Sequence, residues 1–165
     1  MLLTPHILTG VAIITLVQNP ILGLIFILAG HYLLDLSPHT EYSINNIKSG
    51  QWKKSSPDFL GAFLDMTLGM IIVFLTVGFT PLILIAVFVA IFPDGLTILY
   101  CIFPSNKALI KHNKIHMAIN SICENKKIPI FWGIVSQVLV MAIAIYLLSQ
   151  PRILLKYRLS PIRLK

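Results

Sequence analysis

Three residues able to ligate a metal follow one another at four-residue intervals in Gly30-His31-Tyr32-Leu33-Leu34-Asp35-Leu36-Ser37-Pro38-His39. They close a strongly apolar segment, where imidazole and carboxylate groups are costly unless partnered. A metal ion accepts both kinds of donor and would satisfy them together. Eight helical residues span about 12 Å, so His31, Asp35 and His39 cannot reach one ion along a straight helix. His31 and Asp35 share a helix face and are the expected fixed pair. Pro38 supplies the stop that would fold His39 back.

The partners must come from elsewhere. His6 opens an apolar segment, and Asp58, Asp65 and Asp94 lie on later ones. His112-Asn113-Lys114-Ile115-His116 carries a second four-residue pair. That is the metal-binding half of a zincin helix without its Glu. A general base would therefore come from Asp65 or Asp94. Counted from the segment ends, these groups gather at one end of the chain's apolar helices. The expected metal ligands are His6, His31, Asp35, His39, Asp65, Asp94, His112 and His116, with Asp65 and Asp94 also the candidate catalytic acids. Each has a plainer reading. His6 suits a membrane interface, His39 a loop, and His112 and His116 the solvated face of a basic helix. Asp58 suits a helix start and Asp94 a kink, while His31 and Asp35 would make a simple hydrogen-bonded pair. Asp65 resists this treatment: a central Asp costs roughly 2.5–3.5 kcal/mol on insertion scales, and its neighbours are apolar.

Composition says what must hold these groups. The chain has 165 residues, 56% of them hydrophobic and only 12% charged, with a mean hydropathy of +0.85. These values mark an integral membrane protein with one domain over residues 1–149 and a basic tail over 150–165. The formal charge is +7, carried between the apolar segments and at the C-terminus. That pattern suits anionic lipid and excludes a nucleic-acid surface. Cys101 and Cys123 form no disulfide or thiolate-metal spacing and read as packing residues. The N-terminus lacks the basic start of a signal peptide, so the first helix is expected to stay in the protein.

The expected fold is all-α, a multi-span transmembrane bundle of about five to six helices. Pro5–Val17 and Ile21–Leu36 form a helical hairpin too short to span, against the ~20 residues usually needed. Ser55-Ser56-Pro57-Asp58 reads as a helix start with a Ser cap, leading to Val77. Pro81–Phe103 follows, with a kink at Pro93-Asp94-Gly95. Lys107–Cys123 is amphipathic and expected on the membrane surface. Pro129–Ser149 is the last span, anchored by Trp132 and Tyr146. The basic loops at 40–56 and 107–127 fall on one side, which should be cytoplasmic. The last span then puts the basic tail opposite, a conflict the sequence leaves open.

Several motifs together resemble the small bacterial membrane-bound metal-dependent hydrolases: Thr4-Pro5-His6 with Gly10, Gly30-His31 with Asp35, Pro93-Asp94, and the later pair His112 and His116. The family's Pro-Asp-x-Asp-His and His-Arg-Gly-x-Thr-His motifs are absent. The resemblance implies a bacterial cytoplasmic membrane and a metal-activated water cleaving an ester or phosphoester. Ligands of N and O without thiolate suit Zn²⁺, Mn²⁺ or Fe²⁺. Lys107, Lys111 and Lys114 would hold an anionic lipid headgroup. The alternatives are a metal or proton transporter, or a non-catalytic protein with a buried His/Asp network.

Overall fold

A computed structural model describes residues 1–124, 129–150 and 153. Its helices are α1 (Leu3–Leu16), α2 (Pro20–Asp35), α3 (Asn45–Lys48), α4 (Ser56–Val77), α5 (Pro81–Ile102), α6 (Lys107–Glu124) and α7 (Ile130–Leu148). A 3₁₀ turn, Trp52–Lys54, precedes α4, and no strand occurs among the described residues. The protein is an all-helical bundle in which α4, α5 and α7 are long and apolar enough to cross a membrane.

Local chemistry fixes the joints. Asn19 caps α2 by accepting from the amides of Ile21 (2.9 Å) and Leu22 (3.2 Å), with Pro20 in the first turn. Thr80 caps α5 through the Ile83 amide at 3.2 Å. Gly78 ends α4 at φ 72°, a left-handed conformation open to glycine at little cost. α5 continues through Pro93. Ser55 departs from expectation: its hydroxyl donates to the Gln51 carbonyl at 3.0 Å and caps nothing. Asp58 turns away from its own helix end. It accepts from the Asn46 and Ile47 amides (2.9 and 3.1 Å) and the Asn46 side chain (2.8 Å), fastening α3 against α4.

α1 is the central post, packing on α2, α4, α5 and α7. Two glycines set its approach. A Cβ at Gly69 would meet the Ile7 side chain at 3.0 Å, and one at Gly10 would meet Ala90 Cβ at 2.7 Å. These contacts place residues 7 and 69 at one level, and residues 10 and 90 at another. Asp65 lies opposite Leu3 and Thr4. α1 therefore runs parallel to α4 and antiparallel to α5, with its C-terminus toward the α4–α5 turn. At 1.5 Å per residue, α1 and α2 reach about 21 and 24 Å, against about 33 Å for α4 and α5. The hairpin fills the half of the bundle nearest that turn and stops short of the other end. Aliphatic side chains fill its interior, among them Leu8, Val11, Ile14, Val77, Ile83 and Val87.

The open end is roofed by the 36–55 segment and by α6. The amphipathic helix does not simply lie on a surface. It returns along α5 and touches α2, with His116 and Asn120 buried and Ile115 and Ile122 exposed. His116 and Asn120 face inward because the bundle's polar groups are there, while Lys107, Lys111 and Lys114 stay outside. The side chain of Cys123 and nearly all of the basic tail lie outside the described residues.

Candidate metal centre

Asp35 stands at the centre of the buried polar groups, at the last turn of α2, with no exposed surface. Its Oδ1 lies 3.2 Å from His6 Nε2. Its Oδ2 lies 3.2 Å from His31 Nε2 and 3.1 Å from His116 Nε2. The His31 and His116 Nε2 atoms are 3.3 Å apart. Asp94 Oδ1 stands 3.6 Å from His116 Nε2 and 3.9 Å from His31 Nε2. Four helices thus contribute: α1 (His6), α2 (His31, Asp35), α5 (Asp94) and α6 (His116). Ligand pairs around a tetrahedral ion with ~2.0–2.2 Å bonds lie roughly 3.3–3.6 Å apart. The sets His31–Asp35–His116 and His6–His31–Asp94 each hold their ligating atoms within 4.8 Å of one another.

Hydrogen bonding assigns the lone pairs. His31 Nδ1 lies 2.8 Å from the Ala90 carbonyl, which can only accept. Nδ1 therefore carries a proton, and in the neutral imidazole Nε2 presents its lone pair toward Asp35 and His116. His116 Nδ1 lies 3.0 Å from Thr97 Oγ1, which also stands 3.4 Å from the Pro93 carbonyl. With the hydroxyl donating to Pro93 and accepting from Nδ1, the Nε2 of neutral His116 is free to bind a cation. Partners of this kind orient metal-binding histidines and fix their tautomer. Neither nitrogen of His6 has a hydrogen-bond partner, nor does Asp94 Oδ2. His6 stacks on His31 with centroids 4.0 Å apart. The group crowds three imidazoles and two carboxylates together beside the Met1 ammonium, and the unpartnered nitrogens of His6 and Oδ2 of Asp94 are costly to bury without a further cation or proton. These residues are able to hold a metal ion.

The remaining candidates lie apart. His112 forms a second layer, its Nε2 3.3 Å from the Tyr32 hydroxyl and its ring stacked on His116. Burial and the neighbouring His116 and His31 hold its imidazole below the ordinary histidine value. His39 is not brought to the group: it pairs with the Ser37 carbonyl (2.8 Å) and Glu41 (3.2 Å). Asp65 is not brought to it either. Its carboxylate receives the Leu3 and Thr4 amides (2.5 and 3.3 Å) and the Thr4 hydroxyl (2.6 Å), capping α1 from another helix. Lys107, Lys111 and Lys114 are exposed.

Several contributors escaped the sequence reading. Thr97 lies one turn beyond Asp94, a spacing that offered a signal. Gln137 is the lone amide in an apolar span, which is also a signal. It accepts from the Leu2 amide (3.1 Å) and donates to Thr40 Oγ1 (2.8 Å), tying α7 to the site end. The Ala90 carbonyl gave no signal, being an ordinary helix backbone group. The Met1 nitrogen lies 3.2 Å from Asp35 Oδ1 and 2.9 Å from Glu41 Oε1. No protein-family model, curated protein or solved structure matches this chain.

Proposed function

We propose that this protein is a membrane-embedded, metal-dependent hydrolase acting on an ester or phosphoester. The observation that carries the proposal is the convergence of His6, His31, Asp35, Asp94 and His116, with His31 Nδ1 held by a backbone acceptor. A proton on one nitrogen relieves one such contact. A divalent ion relieves all of them and offsets the charge of the buried Asp35 and the partly exposed Asp94. Zn²⁺, Mn²⁺ and Fe²⁺ suit this donor set. The chemistry such an ion supplies is acidification of water toward neutrality and polarisation of a substrate oxygen.

The residues divide the work. His31 and His116, oriented by Ala90 and Thr97, are the fixed ligands, with Asp35 between them. Asp94 stands at the edge of the group with a free Oδ2, where it takes the proton of the attacking water and returns it to the departing oxygen. Water adds to the acyl carbon or phosphorus, the bond to the leaving oxygen breaks, and an acid and an alcohol result. Transport is less well supported. The interior between the group and the α4–α5 turn is mainly aliphatic, its polar groups on α1 being the hydroxyls of Thr9 and Thr15, whereas an ion path needs charged or strongly polar groups through the full depth. The basic loops around Lys48, Lys53, Lys54 and Lys107 lie at the site end, and by the positive-inside rule this supports reading that end as cytoplasmic.

The test is elemental analysis of detergent-purified protein, followed by assay on p-nitrophenyl esters and bis-p-nitrophenyl phosphate with Zn²⁺, Mn²⁺ or Fe²⁺. Bound metal near one equivalent, lost in His31→Ala and Asp35→Asn, together with metal-dependent turnover, is the expected result. Absence of metal after reconstitution with all three ions overturns the site. Stoichiometric metal without hydrolysis overturns the activity.

A further inference from the structure

α4 and α5 pack on α1 and leave a cavity of about 550 Å³ between them at the site end. That volume falls within the ~300–1,000 Å³ usual for small-molecule sites. Its walls are Phe59, Phe63 and Met66 from α4 and Phe88, Ile91 and Phe92 from α5. Its polar lining includes Asp94 and His116, two members of the metal group, with Glu41 and Asn120 near them. Lys48 of α3 contributes a cation to the same cavity. Asn120 Oδ1 and Asp94 Oδ2 are both buried without a hydrogen-bond partner. Phe63 and Phe88 are 58% and 62% exposed on spanning helices, so the apolar wall opens sideways, where lipid chains would lie in a bilayer.

An apolar chamber with a polar end matches a molecule of the same division. We infer that the cavity takes the acyl chain of an anionic membrane lipid, entering laterally between α4 and α5. The chain lies against the phenylalanines. Its polar linkage reaches Asp94 and His116, and its negative group faces Lys48. This substrate class rests on the hydrolase reading for its chemistry, but the binding itself does not. The cation used is Lys48; Lys107, Lys111 and Lys114 do not line the cavity.

The test uses the full chain in nanodiscs containing photoactivatable phosphatidylglycerol or phosphatidylcholine with a diazirine on one acyl chain. Labelled peptides are mapped by mass spectrometry, and zinc, manganese and iron are measured on the same samples. Labelling should concentrate on residues 59–66 and 88–92 and favour phosphatidylglycerol several-fold. Ala62 lines the same α4 wall; Ala62→Trp should cut that labelling at least fivefold with metal content unchanged, and Lys48→Gln should remove the headgroup preference. If Ala62→Trp loses monodispersity, Ile91→Trp from the opposite wall is read by the same criteria. Labelling spread evenly over the lipid faces of α4, α5 and α7, unmoved by the tryptophan, overturns the lipid site. Absence of metal with the labelling pattern intact overturns the hydrolase and leaves the lipid site standing.

Discussion

His31 shows how a single side chain is prepared as a ligand: a backbone acceptor 2.8 Å from Nδ1 fixes the tautomer, so the neutral ring offers its Nε2 lone pair. Thr97 does the same for His116. Thr97→Val keeps the shape and removes the hydroxyl, so metal affinity should fall ~10–100-fold, measured by chelator competition. Asp65 acts differently, holding the first amides of α1. Asp65→Ala should cost about 1–2 kcal/mol in thermal or denaturant unfolding while metal content stays stoichiometric. Loss of metal at unchanged stability would return Asp65 to the site. Glu41 is opposed by burial, yet the hydrogen bond from His39 and the Met1 nitrogen win and hold its carboxyl down from 4.5 to about 2. A depressed carboxyl stabilises the fold fully above its unfolded value, and that gain is lost as pH falls through the folded value. Stability should therefore decline between pH 4.5 and about 2, and Glu41→Gln should flatten that part of a melting-temperature profile. The need for partners was legible in the sequence, because His and Asp in apolar segments demand them. The choice among them was not: spacing treats Asp65 and Asp94 alike. Only the tertiary start of α1 beside residue 65 shows that its carboxylate has backbone amides to serve.

Elements set the distances those side chains inherit. The α1–α5 contact is closed by Gly10, where a Cβ would lie 2.7 Å from Ala90 Cβ and 3.2 Å from Ile27 Cγ2. Gly10→Ala must push α1 from α5, and Ala90 also supplies the carbonyl that orients His31. Such overpacking should cost about 1–3 kcal/mol of stability and weaken metal binding together with it, checked by parallel melting and metal titration. The long helices and their joints were legible from Asn19-Pro20, Thr80-Pro81 and Gly78, since caps and turn residues act locally. α3 was not legible. Four residues cannot sustain a helix alone, and this one is held by Asp58 from twelve residues downstream. The inward turn of α6 was hidden for a similar reason. An amphipathic pattern gives the angle between two faces, and which face turns inward depends on what the rest of the bundle offers.

At the scale of the molecule, the paired spans α4 and α5 put their outer ends together. In a background with Cys101 and Cys123 replaced by Ala, cysteines at Ser49 and Ser105 should react from one side of the membrane. A cysteine at Gln18 should react only from the other. Labelling of Ser49 and Ser105 from opposite sides would break this arrangement. The sequence located the spans and left the basic tail in conflict with the loops. Most of that tail lies outside the described residues, and α6, which does not cross, leaves the conflict in place. The short hairpin carries a consequence of its own. Where α1 and α2 stop about 10 Å before their neighbours, polar loops and α6 take the place of hydrocarbon-facing helix. The apolar thickness of the protein is thus unequal around its circumference, and lipids on the shallow flank must tilt or compress to match it. A bilayer thinned on that flank would bring water closest to the buried Asp35.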